Sequence, residues 1–127
     1  MSDSALQSAV AVARVLDVPL QSYPPTQERV IEGELEMRAA VLWKSDDGTA
    51  ATGIWQCPPV KLSLEHPFDE TFVVLEGSMT ITPESGEARC LEAGDAIVIP
   101  LGTINVWDVH ETVTKVFAVH NSRRLPI

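Results

Sequence analysis

From Val30 onward, apolar residues fall in short runs, each closed by glycine, proline or a small polar cluster. Val60–His66 alternates: Val60, Leu62, Leu64 and His66 share one face, and Lys61, Ser63 and Glu65 share the other. A period of two is the mark of a half-buried strand. Glu36–Lys44 and Thr49–Gln56 flank Ser45-Asp46-Asp47-Gly48, and Asp-Gly between two such runs predicts a hairpin. Phe72–Leu75 and Ala96–Ile99 are apolar without a break, and each heads a segment that ends in glycine or proline. These two segments, Glu70 to Gly77 and Gly94 to Gly102, are expected to be neighbouring strands. Gly77 is read as separating Phe72–Leu75 from Met79–Thr82, and Pro83-Glu84-Ser85-Gly86 as turning into Glu87–Leu91. Ile104–Val109 and Val113–His120 complete the pattern as two further strands.

About eight or nine short strands, with turn signals between them and no helical stretch after Val30, predict an all-β sandwich or barrel. Strands apolar on both faces need cover on both. One face lines the interior, and the other is covered by the second sheet, the N-terminal arm or another subunit, so a homodimer is expected. Residues 1–25, ending at Pro24-Pro25, are read as an N-terminal arm, and residues 26–127 as one barrel domain. Within the arm, Ser4 suits the cap of a short helix over residues 5–16, while Val10, Val12 and Val15 suit a strand equally.

Composition narrows the classes. A chain of 127 residues buries a core without disulfides, and 45% hydrophobic with 21% charged residues is ordinary for a globular domain. The formal net charge of −9 repels phosphate backbones and anionic lipid surfaces, which argues against nucleic acid and membrane partners. Cys57 and Cys90 are too few and too far apart for a disulfide framework or a zinc cluster. Free buried thiols in a reducing compartment are the expectation, over a single bridge. The apolar run Ala9–Val18 has Asp3 ahead of it and Arg14 inside it, unlike a signal peptide. With no stretch long enough to span a bilayer, a cytoplasmic protein is expected.

The spacing of particular residues then resembles a known family. Glu70 and Gly77 have six residues between them with His66 ahead, and Gly94, Pro100 and Gly102 follow at the second spacing. This is similar to the two motifs of the cupins, whose fold is a double-stranded β-helix, or jelly-roll barrel, with the active site in its cup. Gly53-Ile54-Trp55, Pro58, Asp69-Glu70-Thr71-Phe72, Leu75-Glu76-Gly77, Trp107-Asp108-Val109, Glu111, Lys115 and Phe117 narrow the likeness. They resemble the small cupins related to the C-terminal half of (S)-ureidoglycine aminohydrolases, over roughly residues 30–120.

The resemblance implies a metal site of four ligands, and this chain departs from it. Leu64 occupies the place of the first histidine and Asn105 that of the last, leaving His66 and Glu70 with the usual residue types. His66 and Glu70, with Asn105 as a weak third ligand through its carbonyl oxygen, are the candidate ligands for Mn²⁺, Fe²⁺, Ni²⁺ or Zn²⁺. One imidazole and one charge make a poor set, and the favoured reading is metal-free, with His66 and Glu70 as a hydrogen-bonded pair or His66 at the barrel rim beside Pro67.

Lys115 is the second candidate. Its neighbours of the same parity, Val113 and Phe117, are apolar, so its stem is covered. It pairs either with Glu70 or a substrate carboxylate in the cup, or with Glu111 or Asp108 at a barrel edge, and the structural edge pair is favoured. Trp55 and Trp107 either stack on a flat ligand or fill the core, with core packing favoured for at least one. Asp95 is expected to bond backbone rather than substrate, and His110 and His120 to lie at the surface or at strand ends.

Three functions follow. The first is an enzyme of the ureidoglycine aminohydrolase type acting on a small polar nitrogenous metabolite, with Glu70 and Lys115 catalytic and a weak metal or none. The second is a non-catalytic cup that binds a small molecule through Trp55, His66, Asn105 and Trp107. The third is a dimeric accessory protein.

Overall fold

The structure is a computed structural model that describes residues 10–127. The chain enters through irregular backbone and a single 3₁₀ turn at Val15–Asp17. Nine strands follow: β1 (Gln21–Ser22), β2 (Arg29–Glu32), β3 (Arg38–Lys44), β4 (Ala50–Cys57), β5 (Val60–Glu65), β6 (Asp69–Pro83), β7 (Arg89–Glu92), β8 (Ala96–Ile99) and β9 (Ile104–His120). The helix-or-strand reading of residues 5–16 lies partly outside the described residues. Of its described portion, residues 10–14 are irregular and Val15 and Leu16 open the 3₁₀ turn.

Two long strands organise the fold. The second half of β9 lies between β4 and the first half of β6, with Trp55 opposite Lys115 and Lys115 opposite Val74. The first half of β9 lies between β5 and the second half of β6, with Leu62 opposite Trp107 and Trp107 opposite Ile81. β8 extends the first group through Glu70–Val73, and β7 extends the second through Ser78–Ile81. β1 pairs with β3 and β2 with β5, completing a single curled sheet with two layers, the all-β jelly roll expected.

The sequence reading broke both long strands in two, and the structure joins them. Gly77 is a bulge inside β6, where the pairing with β9 shifts between Val74 and Met79. Its φ is 86°, and a Cβ there would stand 2.1 Å from the Thr112 carbonyl oxygen. Only glycine combines that backbone angle with so close a crossing. The Ser45–Gly48 turn stands as expected, with the Gly48 N–H donating to the Ser45 carbonyl at 2.9 Å.

The core is the space between the layers. Leu62, Phe72, Val74, Met79, Ile81 and Val113 are all buried there, and each such side chain contributes about 1.5–3 kcal/mol by leaving water. Alternation along β6 sends Phe72 and Val74 inward and Val73 outward. Val98, expected to be covered on both faces, is 69% exposed beside Val73 on the outer face of this single chain. No helix among the described residues is long and apolar enough to cross a membrane.

Candidate functional site

The alternation of β5 carries Leu62, Leu64 and His66 to the inner face. The backbone of His66 is then fixed: its N–H donates to the Thr103 carbonyl at 2.9 Å, and its carbonyl accepts from the Gly102 N–H at 2.8 Å. Pro67 and Phe68 turn the chain so that Glu70, near the start of β6, faces the same space. His66 Nε2 lies 2.7 Å from Glu70 Oε1. Lys115, from the second half of β9, donates through Nζ to Glu70 Oε2 at 2.8 Å. His66 is 1% exposed, Glu70 5% and Lys115 3%.

Three aromatic rings close around the ammonium. Its nitrogen lies 4.6 Å from the ring centroid of Trp55, 4.1 Å from that of Phe72 and 4.5 Å from that of Trp107. Trp55 and Trp107 meet edge to face at 5.6 Å, and the His66 ring lies 5.7 Å from Trp107. The electron-rich ring faces attract the cation, most strongly where water is excluded. Both layers contribute: Trp55, Phe72 and Lys115 come from one side of the barrel, Trp107 from the other.

Burial pushes the Glu70 carboxyl up, but the Lys115 ammonium and the His66 hydrogen bond outweigh it and hold the group below its ordinary value. Burial likewise pulls Lys115 down from its ordinary value. The Glu70 carboxylate and the three ring faces oppose that pull, and the pair is read as charged. An ionised carboxylate only accepts, so His66 Nε2 carries the proton it shares with Glu70. The other His66 nitrogen, Nδ1, and the Trp107 indole Nε1 are buried without a hydrogen-bond partner among the described residues.

A cavity of about 190 Å³ opens beside this set, walled by Trp55, Leu62, Leu64, His66, Glu70, Trp107 and Lys115. Tyr23, Gln27 and Glu28 from the segment before β2 also line it. Burial, with the nearby charges of Glu28 and Glu70, raises the Tyr23 hydroxyl above its ordinary value.

Of the residues singled out in the sequence, Trp55, His66, Glu70, Trp107 and Lys115 come together here. Asn105 does not join them. It is buried apart, its amide donating to the Thr103 carbonyl at 3.3 Å, and it lines a separate groove with residues of β7 and β8. Lys115 takes Glu70 as partner, the reading the sequence ranked second. Glu111 instead accepts from Ser78 Oγ at 3.2 Å, and Asp108 lies 3.9 Å from His110. Phe72 and Tyr23 were not read as site residues, although Phe72 shares the inward parity of Glu70. Asp95 accepts from the Glu92 N–H at 2.9 Å, as expected. Cys57 is buried and free, its thiol pushed up to about 11 chiefly by burial. Cys90 is also free but exposed, which corrects the expectation of two buried thiols: β7 is an edge strand and Cys90 faces out.

The donors do not fit the metal implied by the cupin resemblance. Both Glu70 oxygens are engaged, an ammonium sits against one of them, and Leu64 and Asn105 bring no ligand to the pair. Among the described residues no cluster of three or more His, Cys, Asp or Glu side chains is placed to hold an ion.

Comparison with known proteins agrees with the fold. The family profile of the EutQ-like cupin domain matches residues 44–117, more than half of the chain. A putative ethanolamine utilization protein Q from Salmonella typhimurium shares 26% identity, with a TM-score of 0.59 over 67% of this chain and 69% of that one. A protein of unknown function from Pseudomonas syringae superposes with a TM-score of 0.73 at 22% identity; the match covers 81% of this chain and 45% of that one. The Cnp3 cupin domain of Schizosaccharomyces pombe gives 0.68 at 15% identity, over 90% of this chain and 76% of that one. No curated protein matches the chain significantly.

Proposed function

The chain belongs to the EutQ-like cupin family, and from that premise we propose that its cup is a metal-free pocket for a small metabolite with a polar, nitrogenous head. One observation carries the reading: two buried nitrogens, His66 Nδ1 and Trp107 Nε1, lack hydrogen-bond partners among the described residues and belong to residues that line one cavity. A buried polar atom left unsatisfied costs about 1–3 kcal/mol, so a ligand that pairs with these atoms recovers that cost. Aromatic and aliphatic walls suit a compact apolar body, and few polar groups fix its orientation. The Salmonella protein it resembles is a putative ethanolamine utilization protein, and a small nitrogenous ligand is consistent with that.

The test is a thermal-shift panel of small amides, ureido acids and ethanolamine. At least one compound is expected to stabilise the wild type in proportion to its concentration, by about 2.7 kcal/mol at a hundred times its Kd. Trp107→Phe, which keeps a ring and removes the N–H, is expected to weaken that binding. A panel with no stabilising compound overturns the reading.

A catalytic use of the same pocket is favoured by the His66–Glu70 geometry. Glu70 holds the proton on Nε2, which leaves Nδ1 basic, and the carboxylate would stabilise the imidazolium formed when Nδ1 accepts a proton. In this reading His66 is the base, Glu70 positions it, and Lys115 holds Glu70 ionised. Ammonia release from a ureidoglycine-type substrate, lost in His66→Ala, tests it. No release from the wild type removes the catalytic reading and leaves the binding pocket standing. The exposed Val98 on β8, with Val73 on the neighbouring β6, is consistent with a homodimer, and light scattering in solution decides this.

A further inference from the structure

The geometry points to Lys115 as a built-in cation that takes the place of a divalent metal ion in the cup. The inference rests on the metal-free pocket proposed above, but it concerns the protein without any ligand. Glu70 is the carboxylate that the cupin pattern assigns to a metal. Here its Oε2 accepts from the Lys115 ammonium at 2.8 Å, while its Oε1 meets the His66 imidazole at 2.7 Å. The imidazole and the carboxylate that the pattern assigns to an ion here bond to each other, and the positive charge arrives on a side chain at the second carboxylate oxygen.

The surroundings of that charge are built for it. Trp55, Phe72 and Trp107 present rings within 4.6 Å of the nitrogen, and the lysine is 3% exposed. A hydrated divalent ion needs oxygen or nitrogen donors on several sides, and three aromatic rings supply none. An ammonium needs one strong acceptor and is otherwise content with ring faces. Leu64, at the position of a missing histidine, lines the same cavity and adds another apolar surface. The substitutions that remove metal ligands and the lysine that replaces the ion therefore form one arrangement. A cation that is part of the chain needs no loading, so the cup keeps its positive pole whatever the metal supply.

The experiment removes the lysine and offers substitutes. Lys115→Ala deletes an alkylammonium, and n-propylammonium has the missing atoms. The variant is expected to melt about 10–20 °C below the wild type, from the loss of a buried pair. Millimolar n-propylammonium is expected to restore several degrees to the variant and none to the wild type, and n-propanol to restore none. Wild-type protein is expected to show no shift with Ni²⁺ or Zn²⁺. If the variant does not fold, the wild type carries the test by NMR: a slowly exchanging lysine ammonium signal, displaced by the surrounding rings and absent from Lys115→Arg. The inference is overturned if the wild type binds one equivalent of a divalent ion that Glu70→Gln releases. It is equally overturned if propanol rescues as well as propylammonium, or if no protected ammonium signal is found. None of these results depends on finding a ligand, so failure here is distinguishable from failure of the ligand panel.

Discussion

Glu70 and Lys115 are 45 residues apart in the chain and 2.8 Å apart in space, carboxylate Oε2 to ammonium Nζ, buried at the aromatic wall of the cup. Neither charge is stable there alone. Each is tolerated because the other is present, and the remaining carboxylate oxygen is taken by His66.

The pair is therefore expected to be strongly coupled. Glu70→Gln leaves a buried ammonium without a counter-charge, and Lys115→Met leaves a buried carboxylate in the same position. Each single variant is expected to lose about 3–5 kcal/mol in urea unfolding. The double variant is expected to lose clearly less than the sum. Additive losses would show that the two side chains act independently.

Acid should act through the same carboxylate. Glu70 is held below its ordinary value in the folded protein, so the folded state binds this proton less tightly than the unfolded state. Its contribution is fully present above the unfolded value, about pH 4.3, and is lost as the pH falls through the lower folded value. The difference in stability between wild type and Glu70→Gln is expected to be constant from pH 7 to about pH 5 and to shrink below that. A difference that grows on acidification would contradict this.

Gly77 and Gly94 separate backbone strain from a clash. Both have positive φ, 86° and 95°, but a Cβ on Gly77 meets the Thr112 carbonyl while one on Gly94 meets nothing within 4 Å. Gly94→Ala is expected to cost about 1–2 kcal/mol of left-handed strain. Gly77→Ala is expected to cost at least about 3 kcal/mol, because the crossing of β6 and β9 must also open. Equal losses in denaturant melts would remove the crossing argument.

The two thiols are expected to differ sharply. Cys90 is exposed and Cys57 buried, with its thiol pushed up to about 11. A thiol reagent at neutral pH should modify Cys90 in the native protein and reach Cys57 only on unfolding. Rapid native modification of Cys57 would show that the barrel opens readily.

Much of this barrel was legible in residue spacing. The β5 alternation placed His66 inward, and the Asp-Gly turn set the β3–β4 hairpin, because both signals are local. What was misread depended on residues far away in the chain. Gly77 looks like a strand breaker until β9 is seen crossing it at Thr112. For Lys115 the edge pair with Glu111 or Asp108 ranked above Glu70, because those two are near in sequence and Glu70 is near only in space. Phe72 was read only as part of an unbroken apolar strand; that its ring faces an ammonium follows from the curl of β6 against β9. Asn105 stands at the motif position for a ligand, but its amide bonds locally to Thr103, and spacing alone does not reveal a side chain's hydrogen bond.

The claim that the cup binds a small molecule without a metal is tested most directly by calorimetric titration of the panel's best ligand into chelator-treated wild-type protein. The account predicts an affinity unchanged by excess EDTA. Binding that vanishes with EDTA and returns with an added divalent ion would contradict it.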